Sequence, residues 1–311
     1  MEARILGPLE VVADGHGVVL ATARKPRLML AALLAHAGQA LSIETLTGAL
    51  WEGSPPVSAR RNIQLYAHQL RRMLGGATIT GDDRGYVYTG AESVDATLFR
   101  RYAERGRKLW EVGEPAAAAQ AWRAALDLWR GPALAEFPDS ALLAEEARRL
   151  EDLRLDVREL WAQSQLAVGD TGAVLAEVTP LAHAHPFRES LCGLLMRALY
   201  RCGRQAEALE AYRRTRRHLA EQLGIEPGPE LQQLHAAILR RDELLLAAPS
   251  APITAGPVPP AQLPAGPRDF TGRAAALASL DALLALAGEP EQVLVAAVTG
   301  MPGVGKSGVA V

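Results

Sequence analysis

The spacing of apolar residues changes period along the chain, and the changes divide it into segments. In residues 1–91, Arg4–Leu6, Leu9–Val12 and Val18–Leu20 read as short strands, with Asp14, Gly15 and Gly17 as turn material. Three helical segments follow. The first, about Pro26–Ala37, opens on a proline, whose missing N–H costs nothing in a first turn, and stops at Gly38. The second starts at Ser42, a natural N-cap, carries Glu44 in its first turn and runs to Trp51. After a Gly-Ser-Pro-Pro break at 53–56, the third spans about Ser58–Leu74 and ends at Gly75 and Gly76. A hairpin then pairs Ala77–Thr80 with Tyr86–Thr89 around the polar turn Gly81–Gly85.

Residues 92–246 read as nearly all helix, with a weak internal repeat. Gly113, Gly169 and Gly203 each precede a similar pattern: Ala118, Val174 and Ala208 follow at the fifth place, Trp122, Val178 and Tyr212 at the ninth. The second and third units lie 34 residues apart, the period of a tetratricopeptide helix pair. The first is offset by an extra stretch around Pro132–Leu150. A small residue at the fifth place lets two helices approach, and a larger one at the ninth fills the groove. Trp110, Trp122, Trp129 and Trp161 fall at helical positions and read as core. Cys192 and Cys202 lie within the helical pattern, away from metal-ligand spacing, and read as buried thiols.

Seven prolines in 247–267 exclude a packed element and mark a linker. In 268–311, Ala274–Leu286 reads as a helix, Gln292–Thr299 as a buried strand and Gly300–Ser307 as a loop. The expected organisation is therefore a mixed strand-and-helix domain at 1–91, a helical-repeat domain at 92–246, a Pro/Ala-rich linker at 247–267 and the start of a further domain at 268–311.

Charge matters locally rather than globally, since the net charge is only −2. Lysine occurs only at Lys25, Lys108 and Lys306. No apolar run approaches the ~18 residues of a membrane span, which points to a cytoplasmic protein with no membrane partner. The third helix is the exception to the even balance. Its apolar residues Ile63, Tyr66, Ala67, Leu70, Met73 and Leu74 form one stripe that must face a core. The opposite side carries Arg61, Gln64, Leu65, His68, Arg71 and Arg72, with Arg60 beside them, and no acidic residue occurs between Glu52 and Asp82. Such a helix attracts phosphates through counterion release, while Gln and Arg can bond base edges and Leu65 can touch a thymine methyl. A tight turn before it and a hairpin bearing Arg84 after it are what a winged helix-turn-helix requires. Arg24, Lys25 and Arg27 are second candidates for holding phosphates, with a solvated role as the alternative. Tyr66 lies on the core stripe and reads as packing, as does Tyr86.

Several segments together resemble the Streptomyces antibiotic regulatory protein family. They are Arg4 to Glu10 (Arg-Ile-Leu-Gly-Pro-Leu-Glu), Leu50 to Pro56 (Leu-Trp-Glu-Gly-Ser-Pro-Pro), Asn62 to Tyr66 (Asn-Ile-Gln-Leu-Tyr), Leu70 to Arg72, and Gly85-Tyr86. The helical segment resembles that family's bacterial transcriptional activator domain, and the order of modules resembles its larger AfsR-like members. The likeness implies a mainly α fold, an OmpR-type winged helix-turn-helix followed by a tetratricopeptide-like all-α domain. It further implies an activator of secondary-metabolite (antibiotic) genes that binds direct repeats in double-stranded promoter DNA as a dimer and recruits RNA polymerase holoenzyme including a sigma factor. His68-Gln69 departs from the Ser-Arg common in the family, so the base preference does not carry over.

Gly300-Met-Pro-Gly-Val-Gly-Lys-Ser307 fits the phosphate-loop pattern and follows an apolar strand. Backbone amides at Gly300, Gly303 and Gly305 would wrap a phosphate, Lys306 would reach its outer oxygens and Ser307 would ligate magnesium. Phe270-Thr-Gly-Arg273 resembles the entry to an NB-ARC-type ATPase. Only four residues follow Ser307. The expectation is therefore that this chain is no enzyme and holds no cofactor, and that ATP and Mg belong to a longer parent. Two other classes remain in view, a P-loop ATPase signalling fragment and a protein-binding helical scaffold.

Overall fold

The computed structural model describes residues 2–13, 16–18, 23–74, 78–82, 84–242 and 245. The chain divides into two compact units, Met1–Thr254 and Ala255–Val311. All described residues fall in the first, so the linker, the phosphate loop and the Phe270–Arg273 segment lie outside them, as do the Asp14-Gly15 turn and the Gly75-Gly76 end.

A three-stranded antiparallel sheet opens the fold: β1 (Glu2–Arg4), β2 (Glu10–Ala13) and β3 (His16–Val18), in that order. Then come α1 (Arg24–Ala35), a two-residue strand β4 (Leu41–Ser42), α2 (Ile43–Trp51), α3 (Ala59–Leu74), β5 (Ile79–Gly81) and β6 (Gly85–Tyr88). These last strands form a second antiparallel sheet in the order β4-β6-β5. The Ser42 hydroxyl caps α2 by accepting the Thr45 amide at 3.0 Å, as its sequence position predicts. Strand β4 is too short to carry a sequence signal. It depends on Gly85, where a Cβ would sit 2.5 Å from the Leu41 carbonyl oxygen.

The first strands are shifted from their expected places, and the reason is tertiary. Ile5, Leu6 and Leu9 are buried, but their amides do not pair in a sheet. Ile5 N (2.8 Å) and Leu6 N (3.0 Å) donate to the Asp95 carboxylate, and Leu9 N donates to Glu136 at 2.8 Å. Arg130 N donates back to Leu6 O at 2.8 Å and Leu134 N to Ile5 O at 3.1 Å. The Ile5–Leu9 loop is thus an insert seated on the helical segment. At Gly7, with φ +146°, a Cβ would meet the Arg130 Cβ at 3.0 Å, so only glycine fits the approach. Burial pushes the Asp95 carboxyl above its ordinary pKa, against the pull of the Ile5 and Leu6 amides, Arg130 and the Ala96 amide.

Among the described residues seven helices follow: α4 (Asp95–Glu111), α5 (Pro115–Leu126), α6 (Ala141–Val168), α7 (Thr171–Ala184), α8 (Glu189–Arg201), α9 (Gln205–Leu223) and α10 (Pro229–Leu239). Gly113, Gly169 and Gly203 adopt φ of 82°, 90° and 75° and hinge three successive helical hairpins. The residues picked out by the repeat register do pack: Ala118, Val174, Ala208, Trp122 and Val178 are fully buried and Tyr212 nearly so. Trp129 and Trp161 are buried too, whereas Trp110 is half-buried, tilted against Trp122. Of the two cysteines only Cys192 is buried, its thiol pushed up to about 11 by desolvation. Cys202 is exposed, contrary to expectation, because it caps α8 at a hairpin tip.

Helices α4 and α5 approach each other closely at Gly106. A Cβ on Gly106 would fall 2.3 Å from the Trp122 indole nitrogen, which donates to the Ala103 carbonyl at 3.1 Å. Gly106→Ala is expected to destabilise the protein by about 1–3 kcal/mol, since the ring is fully enclosed and cannot yield. Urea unfolding measures this; an unchanged midpoint would show that the hairpin tolerates a wider gap.

Candidate nucleic-acid interface

Helix α3 turns Ile63, Ala67, Leu70 and Leu74 into the core, as its periodicity predicts. Tyr66 is half-buried and stacks on Trp51 with ring centroids 6.5 Å apart, and Met73 is also half-buried. The opposite side presents Arg61, Leu65, His68 and Arg72, all exposed, at spacings that place them in one row along the helix. Leu65 stands 51 % exposed among these polar groups. Arg60 and Gln64 are exposed on the adjoining flank, and Gln69 on the other. Arg84 is exposed in the turn joining β5 and β6, its amide donating to Asp82 Oδ1 at 2.8 Å.

Arg71 is a correction. The sequence places it with the outward residues, but it is half-buried and turned toward the hairpin. Its Nε donates to the Ile79 carbonyl at 2.7 Å and its Nη2 to the Gly81 carbonyl at 3.2 Å, with the guanidinium 5.4 Å from the centre of the Tyr86 ring. The end of β5 has carbonyls with no strand on that side, and a forked donor one helix-face away satisfies them.

Arg24, Lys25 and Arg27 are also engaged elsewhere than the phosphate reading expects. Arg24 pairs with Asp139 and Arg27 with Glu136, while Lys25 donates to the Leu50 carbonyl and lies 5.4 Å from the Trp51 ring centre. Acidic residues more than a hundred positions away have claimed the two arginines. With Ser140 Oγ donating to Ala49 O at 3.4 Å, the helical segment grips β1, the Ile5–Leu9 loop, α1 and α2. The α3 row and the hairpin turn remain exposed.

The fold is a winged helix-turn-helix joined to an all-α domain, with one face of α3 exposed. Residues 94–239 match the model of the bacterial transcriptional activator domain. The chain is 40 % identical over 309 residues to the regulatory protein AfsR of Streptomyces griseus, which covers 99 % of this chain and 31 % of that protein. It is 36 % identical over 254 residues to the regulatory protein DnrI of Streptomyces peucetius, covering 78 % of this chain and 93 % of DnrI. Among solved structures, Mycobacterium tuberculosis EmbR in complex with a low affinity phosphopeptide superposes with a TM-score of 0.74 at 34 % identity, over 77 % of this chain and 65 % of that one. The chain belongs to the Streptomyces antibiotic regulatory protein family. It spans less than a third of the length of the AfsR proteins. Among the described residues no helix is long and apolar enough to cross a membrane, and no histidine, cysteine or carboxylate cluster could hold a metal.

Proposed function

We propose that the chain is a sequence-specific DNA-binding transcriptional activator. Arg61, Leu65, His68 and Arg72, flanked by Arg60 and Gln64, enter the major groove of promoter DNA, and Arg84 meets the neighbouring backbone. The observation that carries this reading is the exposed row on α3, a helix with no carboxylate, whose apolar back is fixed in the core. Arginines at both ends of the row suit guanine edges or phosphates, and Leu65 between them suits a thymine methyl. Family membership supports a dimer on direct repeats, recruitment of RNA polymerase holoenzyme with its sigma factor, and control of a secondary-metabolite cluster. A longer parent carrying Gly300–Ser307 would add ATP control, with this chain itself no enzyme.

Footprinting on promoters of the source genome tests the reading. Protected duplexes should be double-stranded and short, with the logarithm of affinity falling against the logarithm of salt concentration by about 0.9 for each phosphate neutralised. Arg72→Ala is expected to make that slope shallower by about 1 if Arg72 meets a phosphate, or to relax one base position with an unchanged slope if it meets a guanine. A protein that protects no promoter at low salt is not a DNA-binding activator.

A further inference from the structure

Resting on the DNA-binding reading above, we propose that Arg71 is a positioning residue: it fastens the β5–β6 hairpin to α3, so that Arg84 meets DNA at a fixed offset from the groove-facing row. The guanidinium spans two elements that no strand pairing joins. From the last turn of α3 it donates to two carbonyls of β5, at Ile79 and Gly81, and packs over the Tyr86 ring of β6. Tyr86 is 4 % exposed and its strand reaches back to β4 through Leu41, so the arginine seats the hairpin between α3 and the rest of the sheet. The hairpin also has backbone anchors away from α3, where Ile43 N donates to Arg84 O at 3.1 Å and Gly38 N to Tyr88 O at 2.9 Å. Without Arg71 the hairpin keeps its anchors at β4, Ile43 and Gly38 but loses the Ile79 and Gly81 hydrogen bonds to the helix that reads the groove. The turn itself is held tightly: Gly81 adopts φ +140°, a Cβ there would sit 2.2 Å from the Gly85 oxygen, and Asp82 N donates to that same oxygen at 3.1 Å. Arg84 N donates to Asp82 Oδ1 in this same turn, so whatever aims the hairpin aims Arg84.

The geometry separates this role from a charge acting on phosphate. A lysine keeps the positive charge but cannot fork between two carbonyls and lie flat on a ring. Arg71→Ala and Arg71→Lys are therefore expected to behave alike. In both, backbone protection by the hairpin should be lost from hydroxyl-radical footprints, while methylation protection of guanine N7 under α3 persists. Overall affinity should fall about five- to tenfold. Without any DNA, amides of residues 78–88 should exchange roughly tenfold faster in both variants than in the parent, with α3 unchanged. Arg84→Ala should give the same loss of backbone protection with no change in exchange, and combining it with Arg71→Ala should add little further loss of affinity.

If Arg71→Lys keeps the protection and the exchange rate of the parent, Arg71 acts by charge and the proposal is overturned. The same holds if Arg71→Ala leaves exchange across 78–88 untouched, or if it melts α3 along with the hairpin. Failure of the parent to footprint at all would instead sink the DNA-binding reading, and the exchange measurement would still decide what Arg71 does.

Discussion

Arg61→Glu is expected to weaken binding to the protein's own promoter at least 100-fold, without altering its unfolding curve. Arg61 is exposed at the first turn of the row. The substitution removes a forked donor at the groove and brings a carboxylate against the phosphates, on a helix that otherwise has none. A single good base contact accounts for one to two orders of magnitude, and repulsion adds to it. Fluorescence anisotropy with a labelled promoter duplex measures the loss, and a urea titration guards against misfolding. A variant that binds as the parent does would remove α3 from the interface, and a helical scaffold binding other proteins would become the better account.

The second large effect is on the fold. Asp95→Ala should cost about 3–5 kcal/mol, because it orphans the buried amides of Ile5 and Leu6 and leaves Arg130 without one of its carboxylates. Asp95 is 5 % exposed, so water cannot easily replace it. Beyond the magnitude, the shape of the transition should change. The Asp95 contacts, with Glu136 on Leu9 and Arg27, couple the winged helix to the helical hairpins. Freed of the first, denaturant unfolding followed by Trp fluorescence and by circular dichroism should separate into two steps, with the winged helix melting first. Coincident transitions displaced by less than about 1 kcal/mol would mean that apolar packing alone holds the two together.

What could be read from the sequence is what one element reveals by itself. The α3 stripe, the Ser42 cap, the three glycine hinges and the buried fifth and ninth positions after them are periodicities and local chemistry, and the structure repeats them. The outward residues of α3 were legible for the same reason: a helix with one apolar face has only one other face to offer. What escaped was every feature decided by a distant partner. Arg24 and Arg27 look like phosphate ligands until Asp139 and Glu136 arrive. Ile5, Leu6 and Leu9 look like strand residues because their side chains are apolar, yet their amides go to carboxylates 90, 89 and 127 residues away. Arg71 belongs by count to the exposed side of α3, but it lies near its edge, where the nearby carbonyls of β5 are stronger claimants than water. The two-residue β4 leaves no pattern at all. Cys202 illustrates the opposite error, in which a residue type usually buried sits at a helix end with nothing above it.

The way the helical hairpins hold the amino-terminal module also decides how such regulators can be recombined. An exchange of promoter preference between two family members, cut near residue 91 where the apolar period changes, would strand Arg24, Arg27 and the Ile5–Leu9 loop opposite foreign counterparts of Asp95, Arg130, Glu136 and Asp139. The transferable cassette extends past Ser140 into α6, which packs on α1 and α2, so a chimera joined beyond that contact inherits its own socket, and one joined at the apparent boundary does not.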